Sequence, residues 1–351
     1  MGLFSRRSAS HEAARDAVPA IESFWTWWTT TGATETDAAS LGGRTDDVVE
    51  RLGELVAAMD DRLNWELSAG TTSRHVLVVT ADQKPVVAAV ARRWLRHAPA
   101  PDDVWQYADT RLAAAHLADV ELQFTGAAVP AAEVVLDVRA RRTALDVGLH
   151  HPALAALPRD ARTRAMLLLL DQALGEADVE LWIGTMEVLD AAPATPVPLT
   201  ELPARVRSLR AEWVSDDSDV GWALASGRDR KGRPFVATVS VPLRSAVAPQ
   251  LDTHVEVTVP YTDRTDVGMP RTETLQRLRG LEDHLVDRLG DSGRLVAHRT
   301  GDGVRTLHLY VDGTTPAADQ LRAATGGWEQ GRVTVTARHD PSWEQVAPLR
   351  L

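Results

Sequence analysis

The stretch from Thr253 to His339 constrains the fold most, because its patterns follow one another in the order strand, helix, strand, strand, helix, strand. Apolar and polar residues alternate from Thr253 to Val259, a period of two that is typical of a half-buried strand. Leucines from Leu275 to Leu289 then recur on one helical face, and Gly290 stands where a left-handed cap would end the helix.

Two further strands, Arg294–Thr300 and Val304–Val311, are separated by Gly301-Asp302-Gly303. This separation predicts a hairpin, because glycine accepts the positive φ that tight turns need. A second helix beginning near Pro316 and a last strand, Arg332–His339, complete the unit. The order of the elements predicts a ferredoxin-like βαββαβ sandwich.

A β-hairpin is predicted just before this unit, within Trp222–Leu243. Its second strand carries apolar residues at every second position from Phe235 to Leu243, and this stripe must be buried. Strands that follow one another in sequence usually pair, which favours a place beside Thr253–Val259. A strict four-strand order gives that place to the last strand instead, and the sequence leaves both arrangements open.

Five short motifs in the C-terminal half carry a family resemblance: Arg233–Val239, Gly268–Pro270, Leu281–Asp283, Arg305–Val311 and His339–Glu344. Through them, the chain from about Trp213 to Val346 resembles the bacterial domain of unknown function six-nine-five. Some chains of that type are similar to small ferredoxin-like regulators of ribonuclease E, which bind a protein and catalyse nothing. The resemblance therefore implies a protein-binding role, and it assigns no site residue.

Length and proline content predict two domains joined by a linker. With 351 residues, the chain exceeds the usual size of a single domain. Four prolines between residues 191 and 204 disfavour both helix and central strand, so this segment is the predicted linker. The sequence thus predicts a mobile tail at 1–20, an N-terminal α+β domain at 21–190 and the C-terminal ferredoxin-like domain at 205–351.

Composition excludes several kinds of chemistry. The chain has no cysteine, which rules out disulfides, thiolate zinc sites, iron–sulfur clusters and a cysteine nucleophile. Its 49 acidic residues outnumber its 38 basic ones, for a net charge of −11, and this argues against nucleic-acid binding. We find no apolar stretch long enough to cross a membrane and no signal peptide, so a cytoplasmic location is expected.

The familiar nucleotide-binding and nucleophile motifs are missing from the sequence. Arg139–Arg142 and Arg228–Arg233 are short basic runs, which we interpret as solvated loops because no stacking aromatic residues accompany them. Glu176, Glu180 and Glu187 are carboxylates in the N-terminal half, but no histidine or cleft is predicted beside them. We therefore expect these glutamates to be structural.

Aromatic residues are crowded into Phe24–Trp28. Such a cluster either stacks on a ligand or buries a large apolar area, and we favour burial on a core. A further tryptophan, Trp343, follows the last strand through Asp340-Pro341. That turn would fold the end of the chain back onto the C-terminal unit, so we predict that Trp343 is buried.

One polar cluster is predicted on the C-terminal sheet. If the valines and leucines of its first and third strands face the helices, the residues between them share the opposite face: His254, Glu256, Thr306, His308 and Tyr310. Two histidines and a glutamate are ligands that zinc accepts. The alternative is a polar face that is solvated or covered by the preceding hairpin. Because the histidines lie on different strands and lack a metal motif, we predict no metal and no cofactor, with His254, Glu256, His308 and Tyr310 as the candidates to test.

Two functions remain open at this point. We favour a non-catalytic, cytoplasmic protein-binding or regulatory module, because catalytic signatures are missing and the family resemblance points the same way. The alternative is a metal-dependent hydrolase that uses the polar face of the C-terminal sheet. The expected partner is another protein, with neither nucleic acid nor membrane involved, and the sequence leaves the oligomeric state open.

Overall fold

The chain consists of two compact units, Ala17–Val214 and Ser215–Leu351. The structure is a computed structural model that describes residues 17–42, 46–124, 127–215 and 217–351. Helices and strands are mixed in both units, which confirms the predicted α+β class. Among the described residues, no helix is both long enough and apolar enough to cross a membrane.

The N-terminal unit begins with a helical stretch, α1, which comprises residues 17–40 and contains the π-helical turn Trp28–Gly32. Most of the predicted mobile tail, residues 1–20, lies outside the described residues. Its last four residues belong to α1, however, and Ala17 is buried. Residues 17–20 are therefore part of the folded N-terminal unit and not of a mobile tail.

The aromatic cluster of α1 lies in the core, as predicted. Trp25 stacks on Trp94 with 4.9 Å between ring centroids. The indole N–H of Trp28 donates to the hydroxyl of Tyr107 at 2.9 Å, and Phe24 is fully buried. Trp25 and Trp28 thus bury a large apolar area while their indole N–H groups keep hydrogen-bond partners.

The rest of the N-terminal unit alternates short helices and strands. The helices are α2 (Asp46–Met59), α3 (Pro85–Arg96), α4 (Pro152–Ala155), α5 (Arg159–Leu174), α6 (Glu176–Trp182) and α7 (Leu202–Trp213). The strands are β1 (Asn64–Ala69), β2 (His75–Thr80), β3 (Trp105–Ala108), β4 (Glu121–Phe124), β5 (Ala127–Pro130), β6 (Val135–Ala140), β7 (Leu145–His150), β8 (Ile183–Val188) and β9 (Val197–Pro198). They pair in the orders β1-β2-β3, β4-β5 and β8-β7-β6-β9.

The boundary between the two units falls between residues 214 and 215, and not within the predicted linker at 191–204. Inside that segment, β9 pairs with β6, and Leu199 and Leu202 are fully buried. Prolines are tolerated at sheet edges and in the first turn of a helix, which is where Pro198 and the proline of α7 lie. The leucines between them bury their side chains in the N-terminal core, so the segment is part of a folded unit.

The C-terminal unit contains one six-stranded sheet and two α-helices in the described residues. Its strands are β10 (Gly221–Arg228), β11 (Pro234–Val241), β12 (Thr253–Pro260), β13 (Gly293–Gly301), β14 (Val304–Val311) and β15 (Thr334–His339). The helices are α8 (Thr272–Leu289) and α9 (Ala317–Ala324), followed near the end of the chain by a 3₁₀ segment, Glu344–Leu349. From β12 onward the elements follow the predicted order.

The sheet order is β10-β11-β13-β14-β12-β15, with every neighbouring pair antiparallel. The predicted hairpin of β10 and β11 therefore extends the sheet at β13. Of the two arrangements that the sequence leaves open, the structure has the one in which the last strand, β15, lies beside β12. This arrangement lets β11 bury its apolar stripe while β12 keeps a partner on both sides.

The two faces of this sheet have different cores. On one face, valines of β12 and leucines of β14 pack against α8 and α9, as predicted. On the other face, Tyr310 and Val296 form a smaller core with the end of the chain. There Trp343 stacks on Tyr310 with 4.3 Å between ring centroids, and its indole N–H donates to the Leu251 carbonyl at 2.9 Å. The predicted burial of Trp343 is confirmed, with 1% of the residue exposed.

Replacing Trp343 should destabilise the protein strongly. Trp343→Ala removes the stacked ring and leaves a cavity over Tyr310, so we expect a loss of about 3–5 kcal/mol in the free energy of unfolding. Trp343→Phe keeps an aromatic ring and should cost less. Trp222→Ala, at a half-exposed position on β10, is the control. Urea unfolding measures all three, and equal losses for Trp343→Ala and Trp222→Ala would show that the end of the chain does not hold this core.

Candidate functional site

The polar residues predicted on the C-terminal sheet do share one face. In the antiparallel register of β12 and β14, His254 lies opposite Tyr310 and Glu256 lies opposite His308. Thr306 continues this row along β14 and lies opposite Arg299 of β13. The face is thus assembled by strand pairing, and it ends at the hairpin that joins β13 to β14.

The two histidines of this face bind each other. His254 Nε2 lies 3.1 Å from His308 Nδ1, and the rings stack with 5.3 Å between their centroids. Burial, reinforced by the neighbouring His308, lowers the pKa of His254 to about 4. Burial also lowers the pKa of His308. Both rings are therefore neutral at neutral pH, and a ring N–H of one histidine donates a hydrogen bond to a ring nitrogen of the other across the strand pair.

The face is closed at its Tyr310 end, where the end of the chain covers it. The Tyr310 hydroxyl donates to Asp340 Oδ2 at 2.6 Å, beneath Trp343, and burial raises the pKa of Tyr310. His254 is also buried. Among the described residues, no three histidine, aspartate or glutamate side chains are placed to hold a metal ion. The face is better suited to holding the end of the chain than to opening a coordination site.

His308→Ala tests the metal alternative. It removes the partner of a buried ring nitrogen of His254, so we expect a loss of about 1–3 kcal/mol in the free energy of unfolding. Thr306→Ala, two residues earlier on the same face, is the control and should cost less. We expect metal analysis to find no zinc in either variant or in the wild type. Stoichiometric zinc in the wild type that is lost in His308→Ala would contradict this expectation.

Two hairpin turns lie beside the other end of this face and enclose a cavity of about 560 Å³. One turn joins β10 to β11, and the other is Asp302-Gly303, where both residues have the positive φ of a tight two-residue turn. We call this cavity the hairpin groove, and its lining residues are Arg228, Asp229, Arg230, Lys231, Arg233, Pro234, Phe235, Arg299, Gly301, Asp302, Val304 and Thr306.

The two acids of the hairpin groove are already paired with Arg233. Asp229 accepts hydrogen bonds from the backbone N–H of Arg233 and of Lys231, and these bonds together with the guanidinium lower the pKa of Asp229 to about 2. Asp302 forms an ion pair with Arg233 as well. Asp229 therefore shapes the turn, and both carboxylates are engaged before any ligand arrives.

Four cations of the groove have no carboxylate partner within the described part of the chain: Arg228, Arg230, Lys231 and Arg299. Arg228 donates to the Gly232 carbonyl at 2.7 Å, which holds it across the turn. The Arg299 guanidinium lies 4.1 Å from the centroid of the Phe235 ring. A guanidinium held on an aromatic face is oriented and keeps its N–H groups for a ligand.

A glycine lets the two hairpins approach. A Cβ atom at Gly301 would lie 2.7 Å from the Pro234 carbonyl oxygen and 3.0 Å from Cβ of Phe235. Any larger residue there would push β11 away from β13 and separate Phe235 from Arg299. The floor of the hairpin groove therefore depends on Gly301.

This site was missed at the level of sequence. From the sequence alone, Arg228–Arg233 is interpreted as a solvated loop because no stacking aromatic residue accompanies it, yet Phe235 lies two residues further on. The pattern of its strand assigns Phe235 only to the apolar stripe. Arg299 comes from a strand more than sixty residues away, and only the pairing of β11 with β13 brings it to the turn. The sequence signals that could have revealed the groove were the basic turn itself and the aromatic residue Phe235 close to it.

A second charged cluster lies in the N-terminal unit, around the buried residue Glu176. Its carboxylate accepts hydrogen bonds from the Thr80 hydroxyl at 2.6 Å, the Gln83 backbone at 2.8 Å and the Arg111 backbone at 3.1 Å. Asp171 is also buried and lies 3.7 Å from the Arg111 guanidinium. The expected structural role of Glu176 fits this arrangement, which ties three separate segments together.

Asp171, in this cluster, has an unusually high pKa for an aspartate. Burial, and then the negative charge of Glu176, raise the pKa of Asp171 to about 7, although Arg111 opposes the shift. Between the ordinary carboxyl pKa of 3.8 and about 7, the folded unit holds a proton that the unfolded chain has released. The stability that this proton contributes to the folded unit is fully present below the unfolded-state pKa of Asp171. It is lost as the pH rises through the folded-state pKa.

Asp171→Asn should remove this pH dependence. Between pH 5 and 7, protonation of Asp171 should make the wild-type free energy of unfolding fall by up to about 1.4 kcal/mol per pH unit, relative to the variant. Urea unfolding at several pH values measures the difference. Asp119→Asn, at an exposed position, is the control and should track the wild type. A constant difference between Asp171→Asn and the wild type would show that Asp171 does not titrate in this range.

The comparisons with known proteins match only the C-terminal part of the chain. The model of a family of unknown function, DUF695, matches residues 231–346. No curated protein and no solved structure matches the chain. The matched segment includes Phe235 and Arg299 of the hairpin groove, the paired histidines and Trp343.

Proposed function

We propose, on the premise that residues 231–346 form a domain of the family of unknown function DUF695, that the protein is a non-catalytic, cytoplasmic protein-binding module. Its C-terminal unit binds an acidic segment of a partner protein in the hairpin groove. The observation that carries this proposal is the set of four groove cations without a carboxylate partner among the described residues, on a chain whose net charge is −11. Positive patches of this kind select partners of opposite charge and accelerate their association.

The chemistry of the groove supports binding rather than reaction. No histidine lines it, and its two acids are held by Arg233. General acid–base or nucleophilic catalysis needs a side chain that can exchange a proton near neutral pH. The alternative, a metal-dependent hydrolase on the neighbouring face, would require His254 and His308 to give up their mutual hydrogen bond.

Charge reversal at the turn tests the proposal. Arg230 and Lys231 are exposed, so Arg230→Glu/Lys231→Glu should leave the fold intact. We expect its affinity for a fluorescent glutamate-rich peptide to fall at least tenfold at low salt, because four units of charge change where the peptide binds. Fluorescence anisotropy measures the affinity, and raising the salt should weaken wild-type binding.

A matched control separates the site from net charge. Arg332→Glu/Arg338→Glu changes the charge equally, at two exposed positions outside the groove. We expect it to retain most of the wild-type affinity. An equal loss in both double variants would mean that the peptide senses only the overall charge. Absence of wild-type binding at low salt would contradict the proposed function itself.

A further inference from the structure

The unpaired cations of the hairpin groove surround one cavity and do not form an extended row along the surface. Arg228, Arg230 and Lys231 come from one turn, Arg299 comes from the facing strand, and all four line the same 560 Å³. A segment with several carboxylates spreads its charge along an extended chain and is matched by cations spread in the same way. Cations gathered around one cavity are suited to a single ligand group of high charge density.

From this geometry we propose that the hairpin groove binds a phosphate monoester, carried on a phosphorylated side chain of the partner protein. The proposal rests on the proposed function and names the chemistry of the group that enters the groove. A phosphomonoester carries about −1.5 to −2 charges at pH 7 and three strong acceptor oxygens, whereas a carboxylate carries one charge and two oxygens. Arginine in particular recognises phosphate through paired N–H donors.

Two of the four unpaired cations of the groove, Arg228 and Arg299, are held in place before a ligand arrives. The bonds of Asp229 to the backbone of Lys231 and Arg233 fix the turn, and Arg228 donates to the carbonyl of Gly232. Phe235 supports the guanidinium of Arg299. Side chains that are ordered in advance lose less conformational entropy on binding, which favours a compact ligand that makes only a few contacts.

The remaining lining residues also favour a single phosphate. Thr306 contributes a hydroxyl on the floor, opposite Arg299 in the sheet. Asp229 and Asp302 are the acids of the lining, and Arg233 forms an ion pair with each of them. Single-stranded RNA offers phosphates too, but its binding sites use several exposed aromatic rings as stacking platforms. The lining contains one aromatic residue, Phe235, and Arg299 already lies over it.

The test compares three peptides on the full-length protein. They share one glycine- and serine-rich sequence and carry phosphoserine, glutamate or serine at the central position. We expect fluorescence anisotropy to give at least tenfold tighter binding for the phosphoserine peptide than for the glutamate peptide, with none detected for serine. Inorganic phosphate should compete with the phosphoserine peptide, and a uridine oligonucleotide of equal charge should compete less well.

Variants assign the binding to the groove. Arg299→Gln should weaken phosphopeptide binding at least tenfold, and Arg299→Lys should fall between it and the wild type, because lysine keeps the charge and loses the planar fork. The double variant Arg230→Gln/Lys231→Gln changes only the exposed turn, so it tests the groove even if Arg299→Gln disturbs the fold. It should also weaken binding at least tenfold. Arg332→Gln, outside the groove, should bind as the wild type does.

Each other outcome decides between the two proposals. If the glutamate peptide binds as tightly as the phosphoserine peptide, with the same dependence on the variants, the phosphate inference is overturned and the proposed function stands. If the phosphoserine and glutamate peptides both fail to bind, and the glutamate-rich peptide fails as well, both proposals fall. Tighter, variant-sensitive binding of the oligonucleotide would overturn the phosphate inference in favour of nucleic acid. Phosphopeptide binding that no groove variant weakens would place the site elsewhere.

Discussion

The antiparallel register between β12 and β14 determines which side chains of the C-terminal unit face the helices and which face away. Since side chains alternate along a strand, a shift of one residue would exchange the two faces. In the observed register, Val255 and Leu309 meet the helical core, while His254 and Tyr310 lie on the other side. The end of the chain covers them there, through Trp343. The register of β13 with β14 then places Arg299 opposite Thr306, at the edge of the hairpin groove.

The hairpin groove combines local and long-range structure. Within its first turn, Asp229 accepts hydrogen bonds from the backbone of the turn and from the guanidinium of Arg233, so this acid is already engaged by the protein. The pairing of β11 with β13 then adds Arg299 and its support, Phe235. The result is a positive cavity on an acidic chain, and neither part would form it alone. In the N-terminal unit, by contrast, the buried carboxylate of Glu176 finds its hydrogen-bond partners in segments distant in sequence, within the same unit.

Patterns with a local cause were predictable from the sequence. The period of two from Thr253 to Val259, the Asp302-Gly303 turn and the burial of the aromatic residues of α1 each follow from neighbouring residues, and the structure contains them. The place of β11 beside β13 was not predictable, because the alternative pairings satisfy the same apolar stripe. The proline-rich segment at 191–204 was misjudged for a related reason: proline content describes the local backbone, whereas Leu199 and Leu202 are held by a core assembled from distant residues.

The central claim is that the C-terminal unit receives its ligand in the hairpin groove. Two-dimensional ¹H–¹⁵N spectra of deuterated full-length protein, recorded as a phosphoserine peptide is added, test it residue by residue. The account predicts that backbone shifts concentrate in the turn from Arg228 to Arg233 and in the strands around Arg299 and Thr306, with β15 unaffected. Shifts that concentrate on β15 or in the N-terminal unit, while both hairpin turns stay unchanged, would contradict it.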